Sequence, residues 1–424
     1  MSKLIIQGQA QLAGEIEVKG AKNAALKIIP ATLLSREKIT ITNLPHIEDI
    51  NKAIALIKDL GAAVIQQGRT LEIQINDIVK NELKPEIANK FRASIMFVGP
   101  ILARTGEVKF PLPGGCVLAS GAQRPIDLFL QGFKKFGAEI DIKDNCYHLK
   151  AKQLKACDYF FTTISVTGTE SLMMTAVLAE GRTILKNCAC EPEIKALADY
   201  LNSQGAKIQG AGTPTITIEG VSKINAGQYQ VIPDRIETGT FAIMAAATKS
   251  EITITNCNPS HIEVLLNIFQ KIGVEYSHGE DWLKIAKVKT IKPNNIKTHE
   301  YPGFPTDLQS PYTVLMTQAQ GSSIIHETIY DRRLLYTDML MQMGSDIIMC
   351  DPHRVVVNGP SQLIGRTLTS PDIRAGIAMI IAGLIANGQT EIDNIYQIDR
   401  GYENIDGRLR ALGADIKRIG TLNL

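Results

Sequence analysis

The chain has almost no charge of either sign left over. Forty-five Lys and Arg stand against 43 Asp and Glu, a formal net charge of +2 over 424 residues. So small a surplus gives no support for a general nucleic-acid or membrane-surface binder, although a local basic pocket for a small anion stays open. There are seven cysteines but no CxxC pair, and Cys188 and Cys190 stand too close for a usual zinc knuckle. A disulfide framework and a structural zinc site are not expected, and most of these cysteines should be small buried hydrophobes. No GxGxxG and no Walker sequence occurs, which argues against a dinucleotide enzyme and a P-loop ATPase. Met1–Gly8 holds no long apolar run before a small-residue cleavage site, so no secretory signal is expected. The longest apolar stretch, Ala375–Ala386, is too short for a bilayer span, follows Arg374 directly and reads as a buried helix. A cytoplasmic globular protein is expected, of a length that calls for two domains or a large repeat.

Repetition is what the chain does have. A helix ending in glycine and followed by a short apolar strand recurs six times, at Gly61, Gly137, Gly205, Gly273, Gly344 and Gly413. These stops lie roughly 70 residues apart, and each glycine suits the left-handed position that ends a helix. Alternating strands such as Lys38–Thr42, Arg182–Leu185, Glu251–Thr255 and Thr390–Ile392 precede the stops, each after an Ala/Leu/Ile/Met-rich helix. Each unit reads as βαβαββ, and six units fall into two domains of three. The first strand, Leu4–Val18, has no complete unit around it, and the last unit ends soon after Asp415–Ile419. The two chain ends are therefore expected to share a domain of residues 1–21 and 231–424, with 22–230 inserted. A cleft between two such domains would be a favoured ligand site.

Several segments carry chemistry. Lys22-Asn23 opens a helix at the expected crossing, where an ammonium added to a helix N-terminus suits an anion; the plain alternative is a solvated lysine. Leu112-Pro113-Gly114-Gly115-Cys116 puts a thiol on a turn, and the loop beyond it reaches Arg124-Pro125, whose guanidinium favours thiolate. Ser165-Val166-Thr167-Gly168-Thr169-Glu170 precedes a helix; it reads as a phosphate-binding N-terminus, as a capping box of Thr167 with Glu170, or as both. Phe304-Pro305-Thr306-Asp307 sets a carboxylate on a loop. Asp372 and Arg374 open the long apolar helix, where Asp372 could equally be a cap. Ile398-Asp399-Arg400-Gly401-Tyr402 is a charged cluster beside a strand. Together, Lys22, Arg124 and Arg400 could clamp a phosphate and a carboxylate, Arg92 could add positive field, Cys116 is a candidate proton donor and Asp307 a candidate base.

The chain resembles the UDP-N-acetylglucosamine 1-carboxyvinyltransferases, the enolpyruvyl transferases of early peptidoglycan synthesis. The resemblance runs the whole length. It rests on Val18–Ala25, Leu112–Cys116, Arg124-Pro125-Ile126-Asp127, Pro233–Thr240, Phe304–Asp307 and Ile398–Glu403. It implies two inside-out α/β domains of three βαβαββ units each, closing over phosphoenolpyruvate and UDP-N-acetylglucosamine. It implies that Lys22, Arg124 and Arg400 hold phosphoenolpyruvate, that Cys116 handles its methylene and is alkylated by fosfomycin, and that Asp307 sits at the sugar 3-hydroxyl. Asp372 and Arg374 correspond to an acid–base pair near the reacting groups. Asn23, Arg92, Arg124, Pro125, Ile126, Asp127, Ser165, Val166, Gly168 and Ile329 correspond to substrate-binding positions. No metal and no cofactor is implied, and a monomer is expected. The chain departs from the family pattern in a longer Cys116–Arg124 loop, in Phe129 where histidine is common, and in Thr163 where lysine is frequent. Two rivals share the repeat: a shikimate-pathway enolpyruvyl transferase, which generally lacks the Pro-Gly-Gly-Cys loop, and a non-catalytic binder of UDP-sugar.

Overall fold

The computed structural model describes residues 2–88, 92–111 and 126–420, apart from the side chain of Arg92. The chain forms two compact units, one of residues 2–19 and 233–420, the other of the described residues from 20 to 232. Each has its own apolar core.

The described residues form six small sheets of one design, three per unit. In Glu251–Thr255, for example, one edge pairs parallel with Ala13–Glu17 and the other antiparallel with Trp282–Ile285, which in turn pairs antiparallel with Tyr276–His278. The sheets built on Ile39–Thr42, Arg182–Lys186, Gly321–His326 and Gln389–Asp393 repeat that pattern. The sheet built on Glu107–Pro111 has three strands, and an isolated parallel bridge from Glu82 to Lys109 takes the place of the fourth.

The stretch expected as one strand, Leu4–Val18, is two strands in different sheets. Lys3–Gln7 lies between Gln389–Asp393 and Ile416–Ile419, whereas Ala13–Glu17 pairs with Glu251–Thr255. Gln9 at φ 57° turns the chain between them, a backbone sign that composition does not reveal. All six helix-stop glycines have positive φ, between 86° and 106°, as a left-handed stop requires.

Three helices of the first unit are buried on nearly every side. Arg235–Ala247 has all of its residues buried, as does Gln309–Met316, and Ile373–Ile385 is buried from Ala375 to Leu384. A helix buried all round belongs inside a core, and these three pack on one another within the first unit. Their threonines are accommodated by bonding back along the helix: Thr238 donates to the Asp234 carbonyl at 2.8 Å and Thr240 to the Ile236 carbonyl at 2.7 Å. Gly239 is required by close approach, because a Cβ there would lie 2.4 Å from the Leu308 side chain. No helix among the described residues is long and apolar enough to cross a membrane.

Candidate active site

In the first unit each of the three central helices begins at an aspartate. Asp234 caps Arg235–Ala247, its Oδ1 accepting from the N–H groups of Ile236 (2.8 Å) and Glu237 (3.0 Å). Asp307 lies in the tight turn Thr306–Leu308 that leads into Gln309–Met316. Asp372 caps Ile373–Ile385, its Oδ1 accepting from Arg374 (2.7 Å) and Ala375 (3.0 Å). The capping reading of Asp372 is therefore realised, and its Oδ2 takes neither cap bond.

Asp307 is held between two guanidinium groups. Arg333 donates to Oδ1 at 2.9 Å and Arg374 to Oδ2 at 2.7 Å. Burial alone would push this carboxyl up, but the charges of Arg374 and Arg333 outweigh it and hold it well below the usual carboxylate range. Burial alone would likewise lower Arg374, and the Asp307 charge keeps it above the usual guanidinium range. Arg374 is steadied further by the Tyr402 hydroxyl, 3.3 Å from its Nη1, which is itself 2.9 Å from Thr240 Oγ1. A carboxylate in this grip is a good hydrogen-bond acceptor but a weak base. The Arg333 partnership is absent from any reading of the sequence; the charged run Tyr330-Asp331-Arg332-Arg333 was its only sign.

Arg400 ends the short helix Tyr396–Asp399, where its Nη1 donates to Gln397 Oε1 at 3.0 Å. Its neighbour Asp399 makes a two-pronged pair with Arg418, at 2.8 and 2.9 Å. Ile329 follows a strand in the same unit, its N–H donating to Glu327 Oε1 at 2.9 Å.

In the second unit Lys22 does open the helix Lys22–Ala31, but it is no solvated lysine. Its side chain is 11% exposed, and its Nζ lies 2.8 Å from Asp49 Oδ2. Asn23 follows it, half-buried. Ser165, not Thr167, caps Val166–Ala176, its Oγ accepting from Gly168 N–H at 3.1 Å. That bond already engages one of the backbone donors expected to face phosphate. Glu170 closes no capping box: it is fully buried with Lys27 at 3.3 Å, and burial, reinforced by Glu193 against Lys27, pushes it up to about 8. Ile126 is half-buried and Asp127 exposed at the start of Asp127–Lys135; Phe129 packs into the core and Thr163 is exposed.

Cys116, Arg124 and Pro125 lie outside the described residues, as does the Arg92 side chain. The six described cysteines are free. Only Cys188 and Cys257 are buried, three are half-buried and Cys350 is exposed, so the expectation of mostly buried thiols fails for this set. No cluster of His, Cys, Asp and Glu able to hold a metal occurs among the described residues.

Solved enolpyruvyl transferases share this fold. NikO from Streptomyces tendae superposes with a TM-score of 0.89 over 99% of both chains at 21% identity, and EPSP synthase from Acinetobacter baumannii with 0.75 over 99% of this chain and 100% of that one at 16%. The model of the EPSP synthase (3-phosphoshikimate 1-carboxyvinyltransferase) family matches residues 6–409. Proteins named UDP-N-acetylglucosamine 1-carboxyvinyltransferase are much nearer in sequence. That of Koribacter versatilis (strain Ellin345) is 42% identical over 100% of this chain and 98% of its own, and one from Carboxydothermus hydrogenoformans (strain ATCC BAA-161 / DSM 6008 / Z-2901) is 44% identical over 99% of each. The chain belongs to the UDP-N-acetylglucosamine 1-carboxyvinyltransferase branch of the EPSP synthase family.

Proposed function

We infer that this protein transfers the enolpyruvyl group of phosphoenolpyruvate to the 3-hydroxyl of UDP-N-acetylglucosamine and releases phosphate, the first committed step of peptidoglycan synthesis. The observation that carries this is identity of 42–44% along essentially the whole of both chains with enzymes of that name.

In the reaction, the hydroxyl oxygen bonds to C2 of phosphoenolpyruvate while a proton is added at C3, giving a tetrahedral ketal. Loss of a C3 proton and of the phosphate then restores the double bond as an enol ether. The proton on C3 is assigned to Cys116, and the anionic groups to Lys22, Arg124 and Arg400. Arg374 and Asp372 serve beside the reacting groups. Asn23, Arg92, Pro125, Ile126, Asp127, Ser165, Val166, Gly168 and Ile329 serve binding. Asp307 is assigned to the sugar hydroxyl, as hydrogen-bond acceptor and as base. Its two guanidinium partners favour the first of these, since a proton taken by Asp307 removes the negative charge that both of them hold. Action in the cytoplasm, as a monomer and without metal or cofactor completes the reading.

The test is phosphate release from phosphoenolpyruvate with UDP-N-acetylglucosamine as acceptor, with and without fosfomycin. Release that fosfomycin abolishes in the parent but not in Cys116→Asp is expected. Release with shikimate 3-phosphate instead would shift the assignment to the other branch, and no release with either would leave a binding protein.

A further inference from the structure

One buried acid in the first unit takes no part in the proposed reaction. Glu327 follows the strand Gly321–His326 and is 0% exposed. Its carboxyl group receives four donors. Oε1 accepts from Thr298 Oγ1 at 3.1 Å, Ile329 N–H at 2.9 Å and Tyr330 N–H at 3.1 Å. Oε2 accepts from Thr306 Oγ1 at 2.8 Å.

These donors lie on separate pieces of the site. Thr306 immediately precedes Asp307. Ile329 and Tyr330 begin the loop that ends in Arg333, whose guanidinium lies 5.0 Å from the centre of the Tyr330 ring and binds Asp307. The contacts close a ring: Glu327 to Thr306, along the chain to Asp307, across to Arg333, onto Tyr330 and back to Glu327. A buried carboxylate bonded to four donors is held in place, because any shift leaves donors unsatisfied.

We propose that Glu327 is a positioning residue for transfer: it registers the Asp307 turn against the Ile329–Arg333 loop, and so sets where Asp307 and the loop meet the acceptor sugar. This rests on the assignment of Asp307 to the sugar hydroxyl. Glu327 itself touches no substrate. Its chemistry separates placement from charge. In Glu327→Gln the amide oxygen can take the three Oε1 donors, and the NH2 can donate to Thr306 Oγ1, whose hydroxyl turns to accept.

The experiment is steady-state kinetics of the full chain with UDP-N-acetylglucosamine and phosphoenolpyruvate, with far-ultraviolet circular dichroism as the folding check. Glu327→Ala is expected to lose about 100-fold in kcat/KM for the sugar, the scale of a misplaced catalytic group. Glu327→Gln is expected to recover to within about fivefold of the parent, and Thr306→Val, which cuts only the Oε2 link, to lose about tenfold. Since Glu327 acts through Asp307, the double variant Glu327→Ala/Asp307→Asn should be no worse than Asp307→Asn alone, within about threefold. Losses that multiply, or a Gln variant as poor as the Ala variant, overturn the proposal. So do parental kinetics in Glu327→Ala. Should Glu327→Ala not fold, Thr306→Val and Glu327→Gln decide, and parental kinetics in Thr306→Val count against it. Full activity in Asp307→Asn would remove the Asp307 assignment and this proposal together. Loss in Asp307→Asn with none in the Glu327 and Thr306 variants would remove this proposal alone.

Discussion

Arg374 Nη2 lies 2.7 Å from Asp307 Oδ2, although 67 positions of chain separate them. The pair joins the first turn of one central helix to the turn that begins another. With Arg333 on the second oxygen, it converts two helix entrances into one charged cluster.

Removing the carboxylate leaves two guanidinium groups facing each other, with side chains only 12% and 16% exposed. Asp307→Ala is therefore expected to lose both turnover and stability. A quarter of the Asp307 side chain meets solvent, so the loss should be about 2 kcal/mol rather than the full value for a buried pair. Urea denaturation at pH 7 measures it. Asp307→Asn should cost less stability while turnover still falls by about 100-fold. An Ala variant as stable as the parent would mean that the arginines do not depend on the carboxylate.

The same grip sets a pH dependence. A carboxyl whose folded value is depressed contributes stability that is present above its unfolded value, near 4, and lost only as pH falls through the folded one. Asp307 should therefore hold its arginines at pH 4, and an acid limb of activity above that pH belongs to another group. Arg333→Met takes away one of the two charges that depress it. Acid unfolding, followed by circular dichroism from pH 6 to pH 2, should begin at higher pH in that variant. An unshifted midpoint would mean that Arg333 does little to Asp307.

The folding pattern was legible where it depends on local rules. Gly61, Gly137, Gly205, Gly273, Gly344 and Gly413 end helices in the left-handed conformation because glycine lacks the Cβ that disfavours it, and strand alternation marks which face is buried. Partnerships were not legible. Asp49 for Lys22, Lys27 for Glu170 and Arg333 for Asp307 are set by packing between elements distant in sequence. Ser165 and Thr167 both offer a capping hydroxyl to a local reading. The choice of Ser165 goes with the burial of Glu170 against Lys27, which no local pattern encodes. The break between Lys3–Gln7 and Ala13–Glu17 was hidden for a similar reason, since the two strands answer to different sheets.

Asp372 separates capping from chemistry. Both cap bonds go to Oδ1, and asparagine keeps that oxygen. Asp372→Asn should therefore hold the parental melting temperature, while Asp372→Ala should lose about 1 kcal/mol with the cap. Turnover should fall in both variants, as the assigned role beside the reacting groups requires the charge. Parental turnover in Asp372→Asn would reduce Asp372 to a cap.

Glu170 gives the clearest test in the second unit. Its carboxyl is fully buried, and burial pushes it from the ordinary 4.5 to about 8. An acid raised in this way binds its proton more tightly when folded. The stability it contributes is complete below about 4.5 and is lost as pH rises through about 8. At neutral pH the group is then mostly the neutral acid, and glutamine is a fair copy of it. Glu170→Gln should match the parent to within about 1 kcal/mol at pH 6 and should flatten the decline of stability between pH 5 and pH 8.5. The opposite state makes an opposite forecast. A charged Glu170 paired with Lys27, whose side chain is only 7% exposed, would make Glu170→Gln cost about 3 kcal/mol at pH 6 by stranding the ammonium. Chemical denaturation at three pH values distinguishes the two, and a large, pH-independent loss would show that the ion pair, not the neutral acid, is what the core of this unit holds.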